Sequence, residues 1–179
     1  SLTIIRLLLE GESVTFSGLE FDISDARIKP KPREPIPILV GGRSDAALER
    51  AAKHSEGWIG VWCSAKRYAE ALGILTEKAE EFGRNKVDWS HGYQPWIGID
   101  KEDSKKARTA VAKGMEDFYK IPFSKFERYT PFGTPSQVAE QLVPYIESGC
   151  RLFNLKVCTS KPEEEMELGA EVLALLRKN

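Results

Sequence analysis

Two short stretches hold residue types that could bind a ligand. The first is Gly41-Gly42-Arg43-Ser44, where an apolar run stops and an amphipathic pattern starts at once. Without Cβ atoms the backbone there can approach a ligand closely and adopt positive φ. A helix starting at Ser44 would present the free N–H groups of residues 43–46, and its dipole favours an anion. Ser44 adds a hydroxyl and Arg43 a positive charge. The second stretch is Cys63-Ser64-Ala65-Lys66. Ser64 can cap a helix whose first turn then holds Lys66. A lysine there opposes the dipole, at about 0.3–1 kcal/mol, unless an anion lies between. The chemistry in both cases is capture of a phosphate or other oxyanion. A tight strand–helix turn and a solvated lysine account for the same residues, and taken alone they leave both readings open.

Other candidates read as structure. Trp58 and Trp62 share the parity of one strand face, which predicts core packing. Cys63 fits a small buried hydrophobe at the strand end. His54 ends a helix, where positive charge is favourable, and His91 falls in a loop. "KPEEEMELGAE" is an acidic first turn. No Ser/His/Asp arrangement, HExxH motif or acid–base pair stands out, so catalytic residues stay unassigned. The three cysteines, Cys63, Cys150 and Cys158, form no CxxC or Cys/His tetrad. The expectation is no metal and reduced thiols in a reducing cytoplasm.

The elements that must position these stretches follow from the pattern. Residues 2–10 are an amphipathic helix with Ile4, Ile5, Leu8 and Leu9 on one face, stopped by Gly11. Residues 14–23 read as a short hairpin around Ser17-Gly18. "KPKPREPIP", with four prolines, is an extended connector. Strands are then expected over 36–42, 57–62, 93–99 and 151–158. Helices are expected over 44–54, 64–82, 103–119, from 134 to Gly149, and from 160 to about 178. Pro95 weakens the third strand, and Pro144 should kink its helix or end it early. Thr134-Pro135-Ser136-Gln137 and Ser160-Lys161-Pro162-Glu163 both have capping-box spacing.

Such alternation implies α/β architecture with parallel strands, as either half of a (β/α)8 TIM barrel or a small doubly wound sheet. The 179 residues carry a formal net charge of −1, 30% charged and 41% hydrophobic side chains, and fit one domain over 1–179. With a pI near 6.2 and basic residues scattered, or proline-broken as in "RIKPKPR", neither nucleic acid nor a membrane surface is expected as partner. No signal peptide is apparent, and no apolar run approaches the roughly 20 residues of a membrane span. The chain begins at Ser1, already in a helical pattern, which reads as the later part of a longer protein. A half-barrel would expose sheet edges, so a homo-oligomer or pairing with a missing N-terminal half is expected.

"LTIIRLLLEGESVTFSG", then "PIPILVGGRSDAALERAAKHSEGWIG", then "FGTPSQVAEQLVPYIESGCRLFNL" resemble, in order, the luciferase-like monooxygenase family. That family includes bacterial luciferase and the deazaflavin (F420)-dependent oxidoreductases. The resemblance implies a (β/α)8 barrel with FMN or F420 at the strand ends and a small organic substrate. This chain would supply the fourth helix, the hairpin insertion, strands five to eight and their helices. The loops that hold the cofactor phosphate would correspond to Gly41, Gly42, Arg43 and Ser44, and to Cys63, Ser64 and Lys66. The residues resemblance would place on strands one to four are absent. A phosphate-binding barrel enzyme of another family, and a non-catalytic half-barrel that dimerises, are the rival readings.

Overall fold

The computed structural model describes residues 1–178. Helix α1 (Leu2–Leu9) leads into an antiparallel pair, β1 (Val14–Ser17) and β2 (Asp22–Ala26). Alternation then begins: β3 (Leu39–Gly41), α2 (Asp45–His54), β4 (Gly57–Gly60) and α3 (Ala65–Glu81). Next come β5 (Gly92–Tyr93), β6 (Trp96–Ile99), α4 (Ser104–Tyr119), β7 (Phe132–Gly133) and α5 (Pro135–Glu147). Strands β8 (Leu152–Phe153) and β9 (Lys156–Cys158) precede α6 (Glu165–Leu176).

The sheet is parallel and ordered β3-β4-β5-β8, with Leu39 opposite Gly57, Ile59 opposite Gly92, and Gly92 opposite Leu152. Within this four-stranded sheet order in space is order in the sequence, so no later strand of it crosses to the far side of the first, whereas the three-stranded sheet runs β7-β6-β9.

Several boundaries differ from expectation, for identifiable reasons. The first strand is Leu39–Gly41 rather than 36–42, because Pro37 cannot donate to a ladder. The third and fourth strands are each broken in two. Gln94 N–H still reaches the Gly60 carbonyl at 2.9 Å, but Pro95 has no N–H and uses only its carbonyl, which accepts from Lys156 N–H at 3.0 Å. Beyond that break β6 pairs with β9 on one side and with β7 on the other. Nothing in the residue pattern had marked Phe132–Gly133 as a strand.

Alternate residues of β6 serve two cores. Ile97 and Ile99 join the main core with Leu142 of α5 and Leu168 of α6. Trp96 joins a second core with Val111 and Met115 of α4, and with Phe123 and Phe126 beyond it. By the two-residue period of a strand, α4 therefore packs on the face opposite α5 and α6. Gly98 permits this, because an added Cβ would collide with the Ala107 carbonyl of α4.

Caps divide the same way. Thr134 forms the full capping box: its hydroxyl accepts from Gln137 N–H, and the Gln137 side chain accepts from Thr134 N–H at 3.0 Å. The box at Ser160 does not form. A 3-10 turn, Pro162–Glu164, intervenes, α6 starts after Glu164 without a side-chain cap, and the Ser160 hydroxyl turns to Asp100 at 3.4 Å. Helix α5 also runs through Pro144 to Glu147 instead of ending there. Of the predicted apolar face of α1 only Ile4 is buried, and Ile5 is exposed.

Candidate anion site at the strand ends

The site grows from two strand–helix junctions that lie side by side because β3 and β4 are paired. At the first, the chain leaves β3 at Gly41, turns through Gly42, and enters α2 with Ser44 as N-cap, its hydroxyl accepting from Ala47 N–H at 3.3 Å. At the second, it leaves β4 at Gly60, passes Trp62 and Cys63, and enters α3 with Ser64 as N-cap, accepting from Arg67 N–H at 3.2 Å. Both helix N-termini thus open at the carboxyl ends of adjacent parallel strands, where ligands bind in such architectures.

Between the junctions lies a cavity of about 330 Å³, its wall including Arg43, Ser44, Cys63, Ser64, Arg67 and Tyr129. Of the expected residues, Arg43, Ser44, Cys63 and Ser64 are brought together there. Lys66 is exposed and outside the lining, and the neighbouring Arg67 takes the inward place. Helical geometry explains this. Arg67 and Ala71 are one turn apart and share a face, and Ala71 is buried and also lines the cavity. Lys66, about 100° around the helix, points elsewhere. The buried period Tyr68, Ala71, Leu75, Ala79 was the signal that could have favoured Arg67.

Gly41 and Gly42 do not line the cavity. Gly42 has φ +129°, and a Cβ there would stand 2.7 Å from the Ala47 Cβ. The turn onto α2 requires glycine whatever the ligand.

Trp62 packs against the second core, as expected, but not through the strand face it was expected to share with Trp58. The strand ends at Gly60, not at residue 62, so Trp62 does not continue the Trp58 face. It stands in the left-handed region, φ +47°, and its ring meets Tyr119 and Phe126, each with centroids 4.8 Å away. A bulky residue there costs on the order of 1–3 kcal/mol, and such outliers concentrate at functional loops.

Electrostatics favour an anion over nucleophilic chemistry. Burial pushes the Cys63 thiol up to about 11, against a downward pull from Arg43 and Arg67. Cys63 is therefore a neutral thiol at pH 7, and both guanidinium charges act on this one spot. His91, read as a loop residue, precedes β5 but is buried, with Nδ1 accepting from Trp58 N–H at 3.2 Å. Burial, helped by the charge of Arg151, lowers it to about 4. His54 ends α2, yet burial and the charges of Lys53 and Arg84 lower its pKa despite the helix terminus.

Hydrogen bonds that sequence reasoning missed hold the loops. Trp58 Nε1 donates to the Gly42 carbonyl at 2.7 Å. The Cys63 carbonyl accepts from the Tyr145 hydroxyl at 2.6 Å and from the Tyr93 hydroxyl at 3.1 Å. No group of histidine, cysteine and carboxylate side chains suited to a metal occurs among the described residues.

The family model described as luciferase-like monooxygenase matches residues 1–130, and the chain belongs to that family. An uncharacterised protein of Mycobacterium bovis is 47% identical over 58 residues, 32% of this chain and 20% of that protein. The F420-dependent glucose-6-phosphate dehydrogenase of Amycolatopsis mediterranei is 20% identical over 170 residues, 83% of this chain and 51% of that protein. An F420-dependent secondary alcohol dehydrogenase, solved in complex with an F420-acetone adduct, superposes with a TM-score of 0.82 at 18% identity, covering 98% of this chain and 60% of that one. The similarity at that identity shows the shared fold. The chain spans about half the length of the dehydrogenase relative it matches.

Proposed function

We propose that this chain carries the cofactor-phosphate side of a luciferase-like oxidoreductase, and that β3, β4, β5 with β6, and β8 with β9 are the last four strands of an eight-stranded (β/α) barrel. Parallel strands in sequence order support the second statement. One observation carries the first: Arg43, Arg67 and the capped N-termini of α2 and α3 converge on a single cavity at adjacent strand ends. Two guanidinium groups, two serine hydroxyls and free backbone amides are donors that suit a phosphate. The donor set fits the phosphate of FMN or F420. A cavity of about 330 Å³ has room for that group. When bound, either cofactor would supply hydride transfer to or from a small organic substrate. The residues of this chain bind and orient, and the side chains that act on the substrate are unassigned.

Titration of the full-length protein with FMN and with F420 tests the reading. Each charge-assisted hydrogen bond contributes about 1.5–3 kcal/mol, so Arg67→Ala should weaken binding by about tenfold or more. Lys66→Ala should stay within about twofold. If Arg43→Ala and Arg67→Ala both leave affinity unchanged, the site is wrong. Binding of inorganic phosphate by a protein that takes up neither FMN nor F420 would favour a phosphorylated substrate in the same donors.

A further inference from the structure

We propose that three buried donors, the Trp58 indole and the Tyr93 and Tyr145 phenols, are positioning residues that aim the Arg43 and Ser64 amides into the cavity. This rests on the anion-site reading above and adds to it the device that orients the backbone.

The geometry follows from peptide chemistry. In a trans peptide the carbonyl and the next N–H point in opposite directions. Both peptides concerned are trans, the one cis bond among the described residues being Lys29-Pro30. Trp58 Nε1 draws the Gly42 carbonyl inward at 2.7 Å, so Arg43 N–H faces away from the Trp58 ring. The Tyr145 and Tyr93 hydroxyls draw the Cys63 carbonyl inward at 2.6 and 3.1 Å, so Ser64 N–H faces away from the tyrosines. Arg43 and Ser64 line the cavity, and Trp58 forms part of the same wall. Neither amide has an acceptor within the described residues.

The same device therefore occurs twice, once in each loop, with a different donor chemistry. Both loops need it. Gly42 has φ +129° and Trp62 has φ +47°, conformations that a free loop would leave readily. A carbonyl with two lone pairs accepts both phenols at once. Trp58, Tyr93 and Tyr145 are themselves immobile: Tyr93 is fully buried, the other two nearly so, and the Tyr93 and Tyr145 rings stack at 4.0 Å. Burial also pushes the Tyr145 phenol up to about 12, so it remains a donor at neutral pH.

Tyr68 provides the internal control. It packs on Tyr93 and Tyr145 with centroids 5.8 and 5.6 Å away, but its hydroxyl donates to the Gly92 carbonyl in β5 at 3.1 Å, not to either loop. The experiment titrates inorganic phosphate into the ¹⁵N-labelled full-length protein, follows the Arg43 and Ser64 amide shifts, and records melting in parallel. Tyr145→Phe should raise the phosphate Kd about fivefold or more and shrink the Ser64 response, while Tyr68→Phe loses similar thermal stability with Kd within about twofold. Trp58→Phe should act on the Arg43 amide in the same way. Equal effects of Tyr145→Phe and Tyr68→Phe on Kd would overturn the positioning role. If Tyr145→Phe does not fold, Tyr93→Phe is judged by the same criterion. The double variant Arg43→Ala, Arg67→Ala separates the two ideas. If it loses phosphate and Tyr145→Phe keeps it, positioning alone falls. If it keeps phosphate, the anion site falls and positioning with it.

Discussion

Gly42 and His91 show how one residue can be held by its surroundings for reasons unrelated to a ligand. At Gly42 a methyl group would meet both a left-handed backbone and Ala47 Cβ at 2.7 Å. Gly42→Ala should therefore destabilise the fold by about 1–3 kcal/mol, read from a shift in the urea midpoint at unchanged slope. A cost below about 0.5 kcal/mol would show that the turn relaxes freely. His91 is kept neutral by burial, with Arg151 adding repulsion, at about 4 against an ordinary 6.5. The unfolded chain binds the extra proton between those values, so stability rises with pH across that window. It is fully present above about 6.5 and lost as pH falls toward 4, by at most about 1.4 kcal/mol per pH unit. His91→Asn, which keeps an acceptor for Trp58 N–H, should flatten thermal stability between those pH values. An unchanged pH slope in that variant would place the titration elsewhere.

Among elements, α1 is tied by one ion-pair network at the opposite end of β4 from the proposed anion site. The Glu56 carboxylate accepts two hydrogen bonds from Arg6 at 2.6 Å and one from Ile38 N–H at 2.8 Å, with Arg84 at 3.9 Å. Burial alone would raise the Glu56 carboxyl, but the Arg6 bonds, the Ile38 amide and both positive charges outweigh it and hold it low. Ile4 is the one buried residue of α1 and Leu2 packs partly buried against the main core, and this network adds a polar tether to that contact. Glu56→Gln should speed hydrogen exchange throughout α1 by about tenfold, an opening cost lower by about 1.4 kcal/mol, while α3 amides keep their protection. Uniform acceleration in both helices would mean that Glu56 supports the whole fold instead.

At the scale of the whole molecule, the parallel sheets end in free edges at the outer sides of β3, of β7, and of β8 with β9. Exposed apolar side chains add to this, including Leu19, Phe118 and Met166. No helix among the described residues is long and apolar enough to cross a membrane. Expressed by itself, residues 1–179 should self-associate through those edges. Light scattering behind size-exclusion chromatography checks this, and a monodisperse monomer with cooperative unfolding would falsify the half-barrel proposal's need for a partner surface. A homo-oligomer and pairing with a preceding half of the barrel differ in whether added N-terminal sequence removes the self-association.

Much of this was legible in the residues, because local rules act over a few positions. The glycine stop at 41–42, the serine caps at 44 and 64 and the capping box at Thr134 are short-range chemistry, and each stands where the pattern put it. Parallel alternation and the family resemblance also needed only one dimension. The rest was decided by contacts between residues far apart in the chain. Arg67 rather than Lys66 faces the cavity because α3 is rotated by the burial of Tyr68, Ala71 and Leu75 against its neighbours. The Ser160 box gives way to Asp100, 60 residues earlier. The Cys63 carbonyl is set by Tyr145, 82 residues later. No spacing rule spans such separations; only the packed core brings those donors to that carbonyl.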